Sequence, residues 1–278
     1  MLASLNDIYQ NLDPIAFSVG SFDVRWYGLA YLAGFLLGGF VLYRVAKRWK
    51  LGISAEDVVT LVVFAACGIL LGARLGYCLF YGNGYYLQHP LDILKVWEGG
   101  MSFHGGLMGA IVAIILVARY LRIPFLTLAD LITVAAPVGL FFGRCANFIN
   151  GELWGAPTTL PWGVVFATTG GGPLPRHPSQ LYEAILEGLV LLVIMLILAR
   201  RNNPPRPQGT FAGVFMLCYG IFRIAVEFVR VPDVQLGYLA GDWLTMGICL
   251  SVPLVVAGVV FLLWAHRAQR PQRGVATQ

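Results

Sequence analysis

Seven apolar runs recur along the chain, at about 26–45, 57–80, 101–120, 125–148, 180–199, 210–229 and 243–264, and they leave it few folds to choose from. A helix needs about 20 apolar residues to cross a hydrocarbon core about 30 Å thick. In that core every backbone N–H and C=O must find a partner inside the protein, so only helices and closed barrels span. The runs are continuous rather than alternating, which argues against a barrel. The expected fold is an all-α polytopic membrane protein with seven transmembrane helices. Composition agrees: 58% of the 278 residues are hydrophobic and only 12% are charged, against about 25% charged in a soluble domain.

The basic residues are unevenly distributed. One set of loops carries Arg44, Lys47, Arg48, Lys50, Arg119, Arg122, Arg200, Arg201, Arg206, Arg267, Arg270 and Arg273; the opposite set carries Arg25, Lys95, Arg176 and Arg230. The positive-inside rule makes the first set cytoplasmic. The N-terminus is then outside (periplasmic) and the C-terminus cytoplasmic. The net charge of +5 is thus a topology signal, and no basic block points to nucleic acid. A single domain over 1–278 is expected, with outer loops at about 81–100, 150–178 and 230–242 and a cytoplasmic tail at about 265–278. Asp7 and Asp13 stand where a signal peptide would be basic, so the first membrane helix is expected to direct insertion. Cys67, Cys78, Cys145, Cys218 and Cys249 are odd in number and lie in or beside apolar runs, which predicts buried thiols and no disulfide framework. Glycines four residues apart (Gly34/Gly38, Gly68/Gly72/Gly76, Gly105/Gly109, Gly139/Gly143) predict close helix packing.

Polar residues left over after topology gather at one depth, in the expected outer half. Arg144 and Asn147 end the fourth run, with Asn150 and Glu152 just beyond. His104 opens the third between glycines. Arg74 lies toward the outer end of the second, and Tyr27 opens the first. Glu183 and Glu187 begin the fifth, and Tyr219, Arg223 and Glu227 share one face of the sixth. Ionisable residues inside a membrane are functional by default. Some have plainer readings. Arg223 and Glu227 can neutralise each other across one turn, Arg74 suits a structural pairing, and the two glutamates suit network partners. Arg144 has no acid one turn away on its own helix, which favours an anionic partner such as a lipid phosphate. The flanking glycines leave the His104 ring approachable, and the positive end of its helix and partial desolvation favour an uncharged imidazole, a competent general base near neutrality. Helix N-termini also attract phosphate. No nucleophilic serine, Ser-Lys pair or zinc set accompanies these groups. The inventory suits a site that binds an anionic lipid and activates another molecule's nucleophile.

Four stretches carry a resemblance over essentially the whole chain: Gly143–Gly155, Gly99–Gly106, the run from Arg176 through His177, Pro178 and Ser179 to Glu183, and the run from Tyr219 to Phe228. In kind and in order they resemble the bacterial prolipoprotein diacylglyceryl transferases. That resemblance implies a single seven-helix transferase domain in the bacterial cytoplasmic (inner) membrane, with the site toward the outer leaflet. It implies transfer of the diacylglyceryl group of phosphatidylglycerol to the lipobox cysteine thiol of a preprolipoprotein signal peptide. A thioether forms and glycerol 1-phosphate leaves, as the first step of lipoprotein maturation, with no metal or organic cofactor. It assigns Arg144 to phosphatidylglycerol binding and makes His104 and Arg223 essential. Tyr27, Asn147, Glu152, Gly155, Tyr219 and Glu227 match positions used around the site. In the mechanism this suggests, His104 is the base, with Arg223 and Tyr27 beside it in the catalytic set, and Arg230 assists from the rim. The partners expected are these two substrates and membrane lipids, with no nucleic acid.

A transporter or channel would also place charges in membrane helices, but it should show repeats and polar groups through both halves of a path. Here the inner half reads as apolar. A structural subunit does not account for the outer polar cluster. An intramembrane protease or acyltransferase would need paired aspartates, a Ser-His pair or a metal set.

Overall fold

The computed structural model describes residues 4–20, 22–201, 205–232, 237–241 and 243–275. Parts of the expected loop at 230–242 (233–236 and 242) and of the expected tail (276–278) lie outside the described residues. The chain runs through α1 (Leu5–Gln10), a hairpin of β1 (Ile15–Val19) and β2 (Phe22–Arg25), α2 (Trp26–Arg48), α3 (Ala55–Phe80), α4 (Tyr85–Gln88), α5 (Phe103–Tyr120), α6 (Phe125–Asn150), α7 (Ser179–Arg201), α8 (Thr210–Glu227) and α9 (Met246–Ala268). Seven of these, α2, α3 and α5 to α9, are long and apolar enough to cross a membrane. The protein is a multi-pass membrane protein, and the expected spans match these helices with ends moved by a few residues. Leu36, Phe40, Leu71, Leu79, Leu116, Val256 and Leu263 stand exposed on the helices, surface that acyl chains cover in a bilayer.

The chain forms two compact units, one of residues 1–42 and 130–271 and one of 43–129 and 272–278. In the second, α3 and α5 meet backbone to backbone. A Cβ built on Gly109 would lie 2.0 Å from the Gly68 carbonyl oxygen, and one on Gly72 would lie 2.3 Å from that of Gly105. Without a hydrophobic drive between helices in lipid, such close van der Waals contact is what holds them. Ser54 starts α3 with a capping box to Asp57. Ser102 starts α5 by accepting from the Gly105 N–H. Arg74 is buried, as its structural reading requires, and its partners are carbonyls rather than an acid. It donates to Asp92 at 2.6 Å, Ile93 at 2.8 Å, Gly99 at 2.6 Å and Gly100 at 3.2 Å, which fixes the 81–100 loop to α3. Gly100 permits this, since it has φ +75° and a Cβ there would meet Arg74 and the Tyr77 ring. In the same loop Lys95 and the Tyr85 hydroxyl bind the Asp92 carboxylate and hold it below the usual carboxylate range.

The first unit contains the hairpin, α6 from Asp130 onward, α7 to α9 and the long 151–178 loop. The hairpin is antiparallel, with Phe17 opposite Val24. It is too short to leave a period in the sequence and was not among the expected elements. Tyr9, Phe148, Val164 and Phe166 form a buried cluster that packs α1 and the 151–178 loop on the end of α6. At the other end of α6, buried Asp130 accepts from the N–H groups of Gly209 and Ala212, each at 2.8 Å. A carboxylate on one helix thus caps the start of α8, whose own cap position is a glycine with no side chain to do it. Asp130 is a correction to the expectation of an almost wholly apolar inner half. The described cysteines are all free; the expected burial holds for Cys78, whereas Cys145, Cys218 and Cys249 are half-buried and Cys67 is exposed on its helix.

Glycine spacing reads as packing only where the backbones touch. Gly109→Ala should lower stability by about 1–3 kcal/mol, measured as unfolding in detergent. Gly143→Ala, whose Cβ has nothing within 4 Å, should not. Equal stability of the two variants would remove the α3–α5 contact from the account.

Candidate functional site

The end of α6, the start of α7 and the end of α8 bring their charged and polar side chains together. α6 supplies Arg144 and Asn147, and α7 supplies Glu183 and Glu187. α8 supplies Tyr219, Arg223 and Glu227 at four-residue steps on one face, and Arg230 follows it. Glu183 is 1% exposed and sits at the centre. Its Oε2 lies 2.5 Å from Arg144 Nε, and its Oε1 lies 2.7 Å from Nη1 of both Arg223 and Arg230. Glu227 pairs with Arg223 one turn back and accepts from the Thr245 hydroxyl at 2.6 Å. Thr245 also caps α9 by accepting from the Ile248 N–H, so one hydroxyl joins the start of α9 to the cluster. Glu187 is fully buried and lies 3.8 Å from Arg144 Nη2.

Local structure sets this geometry. The middle of α7, Ala184–Val190, is a π-helical stretch that directly follows Glu183 and carries Glu187. Such widened turns occur frequently at functional sites. Gly188 in the same stretch lets α7 reach the α6 backbone, since a Cβ there would lie 2.7 Å from Phe141 Cα. Gly247 does the same for Glu227, whose carboxyl carbon would be 2.4 Å from an added Cβ.

At the edge of the cluster, Asn147 bridges. Its side-chain oxygen is 3.5 Å from Arg144 Nη1, and its amide donates to Glu152 Oε1 at 2.8 Å. Asn150 approaches the same oxygen at 3.4 Å. Gln180 donates to the Glu152 carbonyl at 2.6 Å, which anchors the turn after α6 to the start of α7. Gly155 lies in a bridge with Arg230, and its N–H donates to the His177 carbonyl at 2.9 Å. A Cβ at Gly155 would sit 2.5 Å from the Val229 carbonyl oxygen, so no larger residue fits. His177 Nδ1 lies 3.2 Å from the Tyr182 hydroxyl, which accepts from Trp162 at 2.7 Å. Burial lowers the His177 pKa below its ordinary value. Tyr27 shares a hydroxyl contact with Tyr31 at 3.3 Å and feels the charges of Glu152 and Arg144.

The first unit therefore holds Tyr27, Arg144, Asn147, Glu152, Gly155, Tyr219, Arg223, Glu227 and Arg230. His104 belongs to the second unit, in the first turn of α5. Its ring is exposed and stands edge-on to Phe103 with centroids 5.7 Å apart. The partial desolvation expected of it is therefore not supplied by the chain. Arg144 departs from expectation too. Its own helix offers no acid within a turn, but Glu183 and Glu187 reach it from α7. Arg223 and Glu227 do pair across one turn. Glu183, Glu187 and Thr245 were not expected among the site residues. Intramembrane acids announce themselves, and Glu183 and Glu187 were expected as network partners, which is how they stand here. Nothing in the sequence separates Thr245 from any other helix cap.

Removing one partner of a buried ion pair costs about 3–5 kcal/mol, because the remaining charge is stranded. Glu183 serves three arginines, so Glu183→Ala should fall at or beyond the top of that range, and Glu227→Ala, with fewer arginines to release, below it. Unfolding in mixed micelles checks the order, and the reverse order would displace Glu183 from the centre of the network.

The profile of the family described as prolipoprotein diacylglyceryl transferase matches residues 14–264. Relatives of the chain include proteins named phosphatidylglycerol–prolipoprotein diacylglyceryl transferase. That of Rhizobium meliloti is 50% identical over 266 residues, covering 94% of this chain and 94% of its own length. That of Pseudomonas paraeruginosa is 48% identical over 264 residues, covering 95% and 97%. That of Nitratidesulfovibrio vulgaris is 52% identical over 255 residues, covering 92% and 94%.

Proposed function

This chain belongs to the prolipoprotein diacylglyceryl transferase family, and on that footing we propose that it moves the diacylglyceryl group of phosphatidylglycerol onto the lipobox cysteine of a preprolipoprotein. The reaction is a displacement at the glycerol carbon bearing the phosphate. The cysteine sulfur bonds to that carbon, the carbon–oxygen bond breaks, and its electron pair leaves on glycerol 1-phosphate. The thiol proton must be removed, because the thiolate is the nucleophile.

One observation carries the reading. Arg144 and Arg223 both lean on the buried Glu183 carboxylate, yet 19% and 15% of their side chains stay uncovered. Guanidinium groups with remaining donors hold phosphate oxygens well, and they would stabilise the charge that grows on the departing phosphate. Asn147 approaches Arg144 and donates to Glu152, and with Tyr27 and Tyr219 these residues would hold the head group. Glu227 and Arg230 would keep Arg223 oriented, and Gly155 would keep the loop tight against α8. His104 is assigned as the base by its match to the family motif and by its exposed ring. The charge asymmetry of the loops supports an outer-leaflet site, a periplasmic N-terminus and insertion in the bacterial inner membrane.

Purified protein mixed with phosphatidylglycerol and a lipobox peptide should give the peptide a diacylglyceryl mass increment. No increment under conditions where the protein stays folded would overturn the reading. His104→Gln should abolish transfer while phosphatidylglycerol still binds, and normal turnover would remove the base role. Arg144→Ala should weaken lipid binding tenfold or more, about 1.4 kcal/mol. Unchanged affinity would move the phosphate site elsewhere.

A further inference from the structure

Glu187 is the charged residue of the cluster that the proposed reaction leaves without a task. Among the described residues the cluster holds three guanidinium groups, on Arg144, Arg223 and Arg230, and three carboxyl groups, on Glu183, Glu187 and Glu227. With all six ionised, the charges cancel. A phosphodiester entering beside Arg144 brings one more negative charge next to carboxyl groups that are buried. Low dielectric makes an uncompensated charge there costly.

The three carboxyl groups are not equally able to give up their charge. Glu183 is bound to three arginines. Glu227 is bound to Arg223 and Thr245. Glu187 is fully buried, and neither of its oxygens has a hydrogen-bond partner among the described residues. Its ion contact is with Arg144 Nη2 at 3.8 Å. The groups facing it are Glu183 one turn away on α7, Arg144 from α6, Tyr219 and Arg223 from α8, and Arg230 beyond α8. When Arg144 turns to a phosphate, Glu187 loses its one close counter-charge. A buried carboxylate in that position is better off neutral.

We propose that the phosphodiester of phosphatidylglycerol is taken up together with one proton, and that the proton is held on the Glu187 carboxyl. The solvent or its buffer acid donates that proton, so charge balances: one anion and one proton enter a neutral cluster and leave it neutral. This rests on the reading of Arg144 as the phosphate ligand. It adds that Glu187 sets the pH range in which the lipid is held.

The test uses the full chain in nanodiscs of zwitterionic lipid, with dihexanoyl phosphatidylglycerol as probe, whose single charge does not change near neutrality. Titration calorimetry in two buffers of different ionisation enthalpy gives the protons bound per lipid. Wild type should take up about one proton, and within the range of about pH 6 to 9 its affinity should fall as much as tenfold per pH unit. Glu187→Gln should bind with no proton uptake and no such slope. Infrared difference spectra of wild type should show a protonated-carboxyl C=O stretch on binding, a readout that does not depend on the variant folding. Binding without proton uptake across that range, absence of the stretch, or an unchanged slope in Glu187→Gln would each overturn the proposal while leaving Arg144 as phosphate ligand. Failure of wild type to bind the probe at any pH would overturn the phosphate site itself, and the proposal with it.

Discussion

One carboxylate determines how the charged part of this protein can be built. Glu183 lies at the head of α7 and binds arginines from α6, from α8 and from the segment after α8. Three guanidinium groups could not share so small a buried space without it, because each would repel the others in a medium that screens poorly. Glu183 therefore does more than neutralise charge. It sets the distances between the arginines. The π-helical stretch that follows it, and the contact of Gly188 with α6, place the acid where three arginines can reach it.

The same economy recurs in how helices are joined. In lipid no hydrophobic force pulls helices together, so contact must come from backbone proximity or from polar groups that have no better partner. The α3–α5 pair uses the first means, with glycines on both sides. Asp130 uses the second, by capping α8 from the side of α6. Thr245 uses it as well, by capping its own helix and donating to Glu227. Arg74 serves the 81–100 loop in the same way, with carbonyls in place of a carboxylate. Its side chain is as intramembrane and as charged as that of Arg144. What separates the two is the partner. Arg74 is surrounded by fixed carbonyls, whereas Arg144 shares a carboxylate and keeps part of its side chain uncovered.

Much of this was legible from residue order. The seven helices follow from length and apolarity, because backbone polar groups in hydrocarbon admit no other spanning structure. Arg144, Asn147, Tyr219, Arg223 and Glu227 stand out as polar residues that topology does not explain, and the i, i+4 pairing of Arg223 with Glu227 follows from helix geometry alone. The hairpin was not legible, since a few residues of alternation do not rise above chance. The burial of Arg230 against Glu183 was not legible either, since it depends on how the chain leaves α8.

The sequence by itself determined that this chain carries seven membrane helices and which polar residues stand at the ends of those helices, because hydrophobicity and helical period act along the chain. Only the tertiary structure decided which charges meet. Arg144 is without an acid within a turn on its own helix and is nonetheless paired twice, because Glu183 and Glu187 lie about 40 residues on and reach it only when α7 packs beside α6. Electrostatic partners are chosen by distance in space, and distance in space is set by packing rather than by position in the chain.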